Sequence, residues 1–303
     1  MSDTQEDGSA LSALVLDAGA APVFERQRGI LQFLFSNRSL AIGSCIIVLV
    51  ILIALFGPFF IPYTPVDMDY LHRLAPPSMQ HLLGTDGYGR DLLSRVVSGT
   101  RLSLLIGASV AAVNIVFGTA LGVLAAYYQH LSNPIMRFMD ALMSFPAVLL
   151  ALAITAALGS RIENVIIALG IVYTPRSARV VRAAVLTVRD ASYVEAARVA
   201  NASDWWIITR HILPNCFAPL IVQFSFVFAY AILAEAALSF LGAGPPPPAP
   251  TWGNIIAEGK DVMVEAPWIM AFPGIAITFT VLGLTLAGDG LRDALDPRIG
   301  PET

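Results

Sequence analysis

Long charge-free apolar runs alternate with short polar segments along this chain, and a helix needs about 20 apolar residues to cross the hydrocarbon core of a bilayer. Runs of that length occur at 39–66, 141–160, 212–234 and 266–288. A further stretch, 102–136, is interrupted only by His130, and it has room for one span, a turn around Ser132-Asn133-Pro134 and the start of the next span. The pattern predicts membrane helices at about 39–60, 100–127, 135–158, 212–241 and 267–288. Residues 164–175, between Glu163 and Arg176, are a shorter apolar run. A helix over about 162–183 completes a crossing there, because Arg176, Arg179 and Arg182 fall at three-residue spacing on one face and are free to snorkel. The expected fold is an all-α membrane protein with six transmembrane helices.

Six crossings place both termini on the same side, and the basic residues say which. With this count, twelve of the eighteen Lys and Arg residues fall on the side of the termini and of the segment 188–213. Basic residues concentrate on the cytoplasmic side, so the termini and that segment are expected in the cytoplasm and the loop 61–99 outside. Residues 1–22 carry Asp3, Glu6, Asp7 and Asp17 and no Lys or Arg, unlike the basic start of a cleavable signal. Residues 1–37 therefore read as a partly disordered cytoplasmic tail ahead of a membrane domain over 38–298. Pro58 and Pro62 end the first helix, and Pro245–Pro248 reads as an extended polyproline stretch on the outer surface.

Composition agrees and removes some function classes. The chain is 56% hydrophobic and 13% charged, against about 25% charged in soluble domains. A net charge of −4 argues against nucleic acid as a partner; membrane lipid is the partner the apolar runs require. Cys45 and Cys216 lie in or beside apolar runs and suggest no disulfide framework. None of the four histidines has zincin spacing, so no metal site is assigned.

The segment Glu195–Pro214 (EAARVANASDWWIITRHILP) is a polar insertion between apolar spans. Ala191–Ala200 reads as a helix with a small-residue patch at Glu195, Ala196 and Ala197. Asn201-Ala202-Ser203 is the turn, Ser203 or Asp204 caps the next helix, Trp205–Leu213, and Pro214 opens the fifth span. Such a segment either lies on the lipid surface as an amphipathic loop or docks a partner, and Trp205 and Trp206 suit either. Its residue order resembles the EAA loop of permease subunits in binding-protein-dependent ABC importers. Glu195, Ala196, Ala197, Leu213 and Pro214 match that motif; Asn201 stands at its Gly position and His211 where Ile is usual. Asn is the next best residue after Gly for a left-handed turn. The stretches His81–Leu104, Leu233–Ile255 and Gly288–Arg298 resemble signatures of the dipeptide/oligopeptide/nickel permeases, and the likeness runs over about 30–298. It is greatest to the second, C-type permease subunit.

The resemblance implies a type I ABC importer permease fold in the bacterial inner membrane. Residues Glu195, Ala196, Ala197, Asn201, Ala202, Leu213 and Pro214 would form the coupling segment seated in an ATPase cleft. It implies a second permease subunit, two cytoplasmic ATPase subunits and a periplasmic solute-binding protein as partners. The chain has no Gly-Lys-Ser/Thr phosphate loop, so it is expected to be non-catalytic, with ATP and Mg bound by the ATPases and no cofactor of its own. Peptides are the expected cargo, with nickel or an oligosaccharide as alternatives. A self-contained, ATP-independent secondary transporter is the remaining class. Such proteins usually carry paired mid-membrane ionisable residues and inverted repeats, of which this chain shows neither.

Five further features remain. Gly84-Thr85-Asp86…Gly89-Arg90-Asp91 reads as a tight turn followed by a helix capped by Asp86 or Asp91. Glu235, an acid deep in an apolar run, lines a pathway or outer gate, or makes an ion pair or hydrogen bond to a partner subunit. Asn114 and Gln223 face the pore or bond between helices. Asp140 is expected to pair locally with Arg137, and Gly107, Gly118 and Gly122 to allow close helix packing.

Overall fold

The computed structural model describes residues 37–295, and among them the only elements outside helices and turns are a single bridge between Thr85 and Asp91. Residues 1–36 of the expected tail over 1–37 and the end of the expected 38–298 domain lie outside the described residues.

Helix α1 (Arg38–Phe60) starts where the Asn37 side chain accepts the Ser39 N–H at 2.8 Å, an N-cap bond. Only Leu40, Gly43, Val50 and Ala54 are buried, whereas Val48, Leu49, Phe56 and Phe59 project outward. A helix apolar on its exposed as well as its packed face suits lipid. Ile61 turns extended because it precedes Pro62, and the proline ring crowds an α-helical predecessor.

Helix α2 (Leu92–Tyr127) begins well before the expected position 100, so the loop ends at Asp91. Asp91 is the cap, accepting the Ser94 N–H at 2.8 Å. The extra turns carry Arg95, whose charge is met by carboxylates described below. The expected single span over 135–158 is two helices, α3 (Gln129–Met143) and α4 (Ala147–Leu158), at 90° to each other. A proline disfavours an α-helical predecessor, so Pro146 (φ −57, ψ 129) ends the helix before it, and Ser144 Oγ turns back onto the Ala141 carbonyl at 2.7 Å. The turn expected at Ser132–Pro134 is instead at Tyr128 (φ −98, ψ 102), and Pro134 lies inside α3, where its missing N–H removes one backbone bond.

Helix α5 (Ile162–Arg189) continues beyond the expected 183. After α6 (Ser192–Val199) and α7 (Asp204–Ile207), a π-helical turn over Ile208–Ile212 leads into one α turn, α8 (Leu213–Asn215). The ring of Pro214 would strike the carbonyl four residues back in a regular helix, and the wider π turn supplies the room. Cys216 (φ −95, ψ 0) then separates α8 from α9 (Phe217–Phe240), the long apolar helix within the expected 212–241. The proline stretch is not uniformly extended, since it turns at Pro247–Pro248. The sequence reading had no helix after it, yet α10 (Trp252–Gly259) forms there, with Thr251 and Asn254 capping each other's backbone. Helix α11 (Trp268–Leu295) outruns the expected 267–288.

Helix α2 packs along α5 and against α9, while α1 packs on α11. Gly118 and Gly122 sit where a Cβ would strike Ser177, Ala178 and Val181 of α5, and Gly107 lies under Phe228 and Ile232 of α9. Helices α1, α2, α9 and α11 are long and apolar enough to cross a membrane, and α3–α4 is a fifth crossing if the bent pair counts as one. Helix α5 has the length, about 42 Å at roughly 1.5 Å per residue, with Arg176, Arg179, Arg182 and Arg189 in its second half.

Candidate functional site

The segment that the sequence singled out is a helix, a turn and a helix, clamped to the bundle by one apolar cluster. Helix α6 buries Val194 and exposes Glu195 and Ala196. Val194 packs with Ile207, Ile208, Ile212 and Cys216 and with Val123, Ala126, Val181 and Val185 of α2 and α5. Ala197 and Ala202 are half-buried against the same cluster. At the end of α6, Asn201 takes φ 59, its N–H bonds the Arg198 carbonyl at 3.0 Å, and the Ala202 N–H bonds the Ala197 carbonyl at 3.1 Å. These two bonds are a Schellman termination with Asn in the left-handed position. Ser203, not Asp204, caps α7.

Asp204 is drawn to α2 instead, where it accepts from Tyr127 Oη at 2.7 Å and Tyr128 Oη at 3.2 Å. The Arg198 guanidinium lies 5.4 Å from the centre of the Tyr127 ring, and Arg189 Nη1 donates to the Ala126 carbonyl at 2.7 Å. Glu195, Arg189, Asp190, Arg198 and Val199 line a shallow polar concavity of about 470 Å³. Leu213 and Pro214 are elsewhere, in an apolar groove of about 920 Å³ with Trp205, Phe217, Tyr128 and α2 residues between Ile115 and Leu124. The predicted coupling residues thus divide between a polar outer face and an apolar face beside the membrane helices.

Within the bundle, Asn114 is 1% exposed. Its Nδ2 donates to the carbonyls of Val110 (3.1 Å) and Gly170 (3.3 Å), and its Oδ1 accepts from Ser177 Oγ at 3.2 Å. Gln223 Nε2 donates to Ser177 Oγ at 3.4 Å, which links α2, α5 and α9. Glu235 is buried, and its Oε1 accepts hydroxyl bonds from Ser239 (2.8 Å) and Thr251 (2.9 Å), tying α9 to the start of α10. Its Oε2 is buried with no hydrogen-bond partner among the described residues. Asp140 pairs with Arg179 of α5 rather than with Arg137, because α3 packs beside α5.

A second polar constellation went unrecognised in the sequence. Asp86 bonds Arg90 Nε at 2.6 Å and also meets Arg95, while Glu258 of α10 accepts from Arg90 and from Arg95 at 2.6 and 3.0 Å. Asp86, Arg90 and Arg95 are all buried. Asp91, besides capping α2, bonds His81 Nδ1 at 2.9 Å. Gly89 (φ 76) is required here, since a Cβ would overlap the Asp69 carbonyl. At the rim, the side-chain bond from His72 and the Leu71 N–H hold the Asp69 carboxyl below its ordinary value. Two carboxylates and two guanidiniums cancel within one buried knot that joins the loop 61–91, the start of α2 and α10. The motif Gly84–Asp91 contains Asp86 and Arg90, Arg95 follows one turn into α2, and nothing local signalled Glu258.

Residues 118–301 match the family described as binding-protein-dependent transport system inner membrane component, and residues 28–77 match the N-terminal TM domain of oligopeptide transport permease C. A Brucella abortus protein named as a peptide transport system permease is 50% identical over 98% of this chain and 99% of its own length. The di/tripeptide transport system permease protein DppC of Pseudomonas aeruginosa is 44% identical over 88% of this chain and 90% of that protein. Among solved structures, the MetNI methionine ABC transporter in an inward-facing conformation aligns with 67% of this chain and 97% of its own, at a TM-score of 0.56 and 19% identity. That likeness concerns the fold.

Proposed function

The chain belongs to the family of binding-protein-dependent transport system inner membrane components, and from that premise we propose that it forms, with a second permease subunit, the path by which peptides delivered by a periplasmic binding protein cross the inner membrane. Peptide cargo is favoured by the names of its relatives. Two cytoplasmic ATPase subunits bind ATP and Mg and carry out the hydrolysis; this chain transmits the motion. Both termini face the cytoplasm in this reading, and α5 is the remaining crossing, which makes six.

The observation that carries the reading is the mounting of α6. Its outer face presents Glu195 beside Arg189 and Arg198, while Val194 is packed into α2 and α5. A force applied by an ATPase to that face moves two membrane helices through close-packed side chains. Transport then requires a bundle with two arrangements, biased by the loaded binding protein on one side and by nucleotide on the other. Glu195→Arg or Ala197→Glu is expected to abolish peptide uptake by the assembled transporter while capture of peptide by the binding protein stays at the wild-type level. Normal uptake in both variants would sink the coupling assignment.

A further inference from the structure

Arg176 occupies the middle of α5, about 21 Å from Ile162 and about 20 Å from Arg189 at roughly 1.5 Å per residue. Its guanidinium lies over the ring of Tyr230, 5.1 Å from the centroid. Tyr230 is also far from the helix ends, about 20 Å from Phe217 and about 15 Å from Phe240 along α9. The Tyr230 ring stacks on that of Tyr173, one turn before Arg176, with centroids 6.5 Å apart and planes at 24°. Tyr173 Oη donates to the Tyr230 carbonyl at 3.4 Å. The cation is therefore held near the middle of α5, between two packed helices.

Arg176 and Tyr230 are exposed on the surface of this chain. Arg179 and Arg189, on the same helix, pair with Asp140 and Asp190. Arg176 has no carboxylate partner and no hydrogen bond among the described residues. With α5 as the sixth crossing, a bare guanidinium more than three turns from either end of the helix is too costly to face hydrocarbon, so its exposed side meets water or a counter-charge. Tyr230 covers one face of the guanidinium plane and leaves its N–H edges free. Those edges match the two oxygens of a carboxylate, a group that every unmodified peptide carries at its C-terminus and that acidic side chains add.

We propose that Arg176, Tyr173 and Tyr230 form a binding site on the translocation path that takes an acidic side chain of the peptide in transit. Tyr230 fixes the orientation of Arg176 by a cation–aromatic contact, and Tyr173 braces the Tyr230 ring. Without a built-in counter-ion the site is open to exchange, as a site on a path must be. The inference rests on the peptide-permease reading above.

The test uses the complete transporter with its ATPases and binding protein in liposomes, and three peptides of one length with a neutral, a glutamate or a lysine side chain. Arg176→Gln is expected to lower uptake of the glutamate peptide about tenfold relative to the lysine peptide, with capture by the binding protein and its stimulation of ATP hydrolysis as in wild type. Arg176→Glu is expected to invert the preference, Tyr230→Phe to keep it and Tyr230→Leu to weaken it. Unchanged proportions among the three peptides in Arg176→Gln overturn the site. Loss of the second permease from the purified complex overturns it as well, in favour of an ion pair between subunits. A wild-type transporter that moves none of the three peptides removes the peptide reading itself, an outcome distinct from failure of the site.

Discussion

Asn201 acts through its backbone. Its φ of 59 lets the Ala202 and Asn201 N–H groups close the end of α6, and the side chain itself is exposed. Asn201→Gly is therefore expected to transport as wild type. Asn201→Val places a β-branched residue in a region that costs about 1–2 kcal/mol for an ordinary L-residue, and it is expected to lower ATPase stimulation and uptake together in the reconstituted complex. Equal activity of the two variants would show that the left-handed turn does not matter. Asn201 was legible because a helix-ending turn has few suitable residue types. Glu235 was half legible: an acid in an apolar run is visible, and so is Ser239 one turn on. Thr251 lies across a proline loop, and only the folding of that loop brings its hydroxyl to the carboxylate.

Element identity came from local pattern, and element ends departed from it wherever a contact outside the element took over. Helix α2 begins early because Asp91 caps it and because its first turns, polar in sequence, are covered by α10. The break between α3 and α4 follows from Pro146, a signal present in the chain but outweighed by the length of apolar sequence around it. The π turn before Pro214 is likewise a local consequence of the ring. The α2–α5 contact depends on small residues: Gly122→Leu would drive a side chain into Val181 and the Ala178 carbonyl. Overpacking of that kind costs about 1–3 kcal/mol, so the variant is expected to melt at a lower temperature in detergent, whereas Gly87→Ala, with no neighbour in reach, is not. Identical melting of the two would mean that the helices separate easily at that crossing.

On the scale of the whole molecule, three apolar clusters succeed one another along α2: one with Trp252 and Ile269, one with Val165 and Val227, and one with Val194 and Ile212. The charge knot is fastened to the first and the α6–α7 segment to the last, so the two polar ends are joined by one close-packed shaft. Removing one partner of a fully buried ion pair leaves the others uncompensated, at about 3–5 kcal/mol; Glu258 is 25% exposed, so its loss costs less. Glu258→Gln is expected to lower the melting temperature of the purified protein clearly, because Arg90 and Arg95 then share one carboxylate. Glu163→Gln, at the exposed start of α5, is expected to leave it unchanged. A Glu258→Gln protein as stable as wild type would mean that solvent supports the two arginines. The sequence by itself determined that the chain is helical and membrane-embedded, where most spans lie, and that 191–214 is a polar helix–turn–helix, because apolar run length, capping residues and prolines act within a few residues of themselves. Which arginines find carboxylates was decided only by tertiary structure. Arg90 meets Glu258, Asp140 meets Arg179, and Arg176 is left beneath a tyrosine, because charge pairing depends on which helix faces pack together, and residues far apart in the chain meet only then.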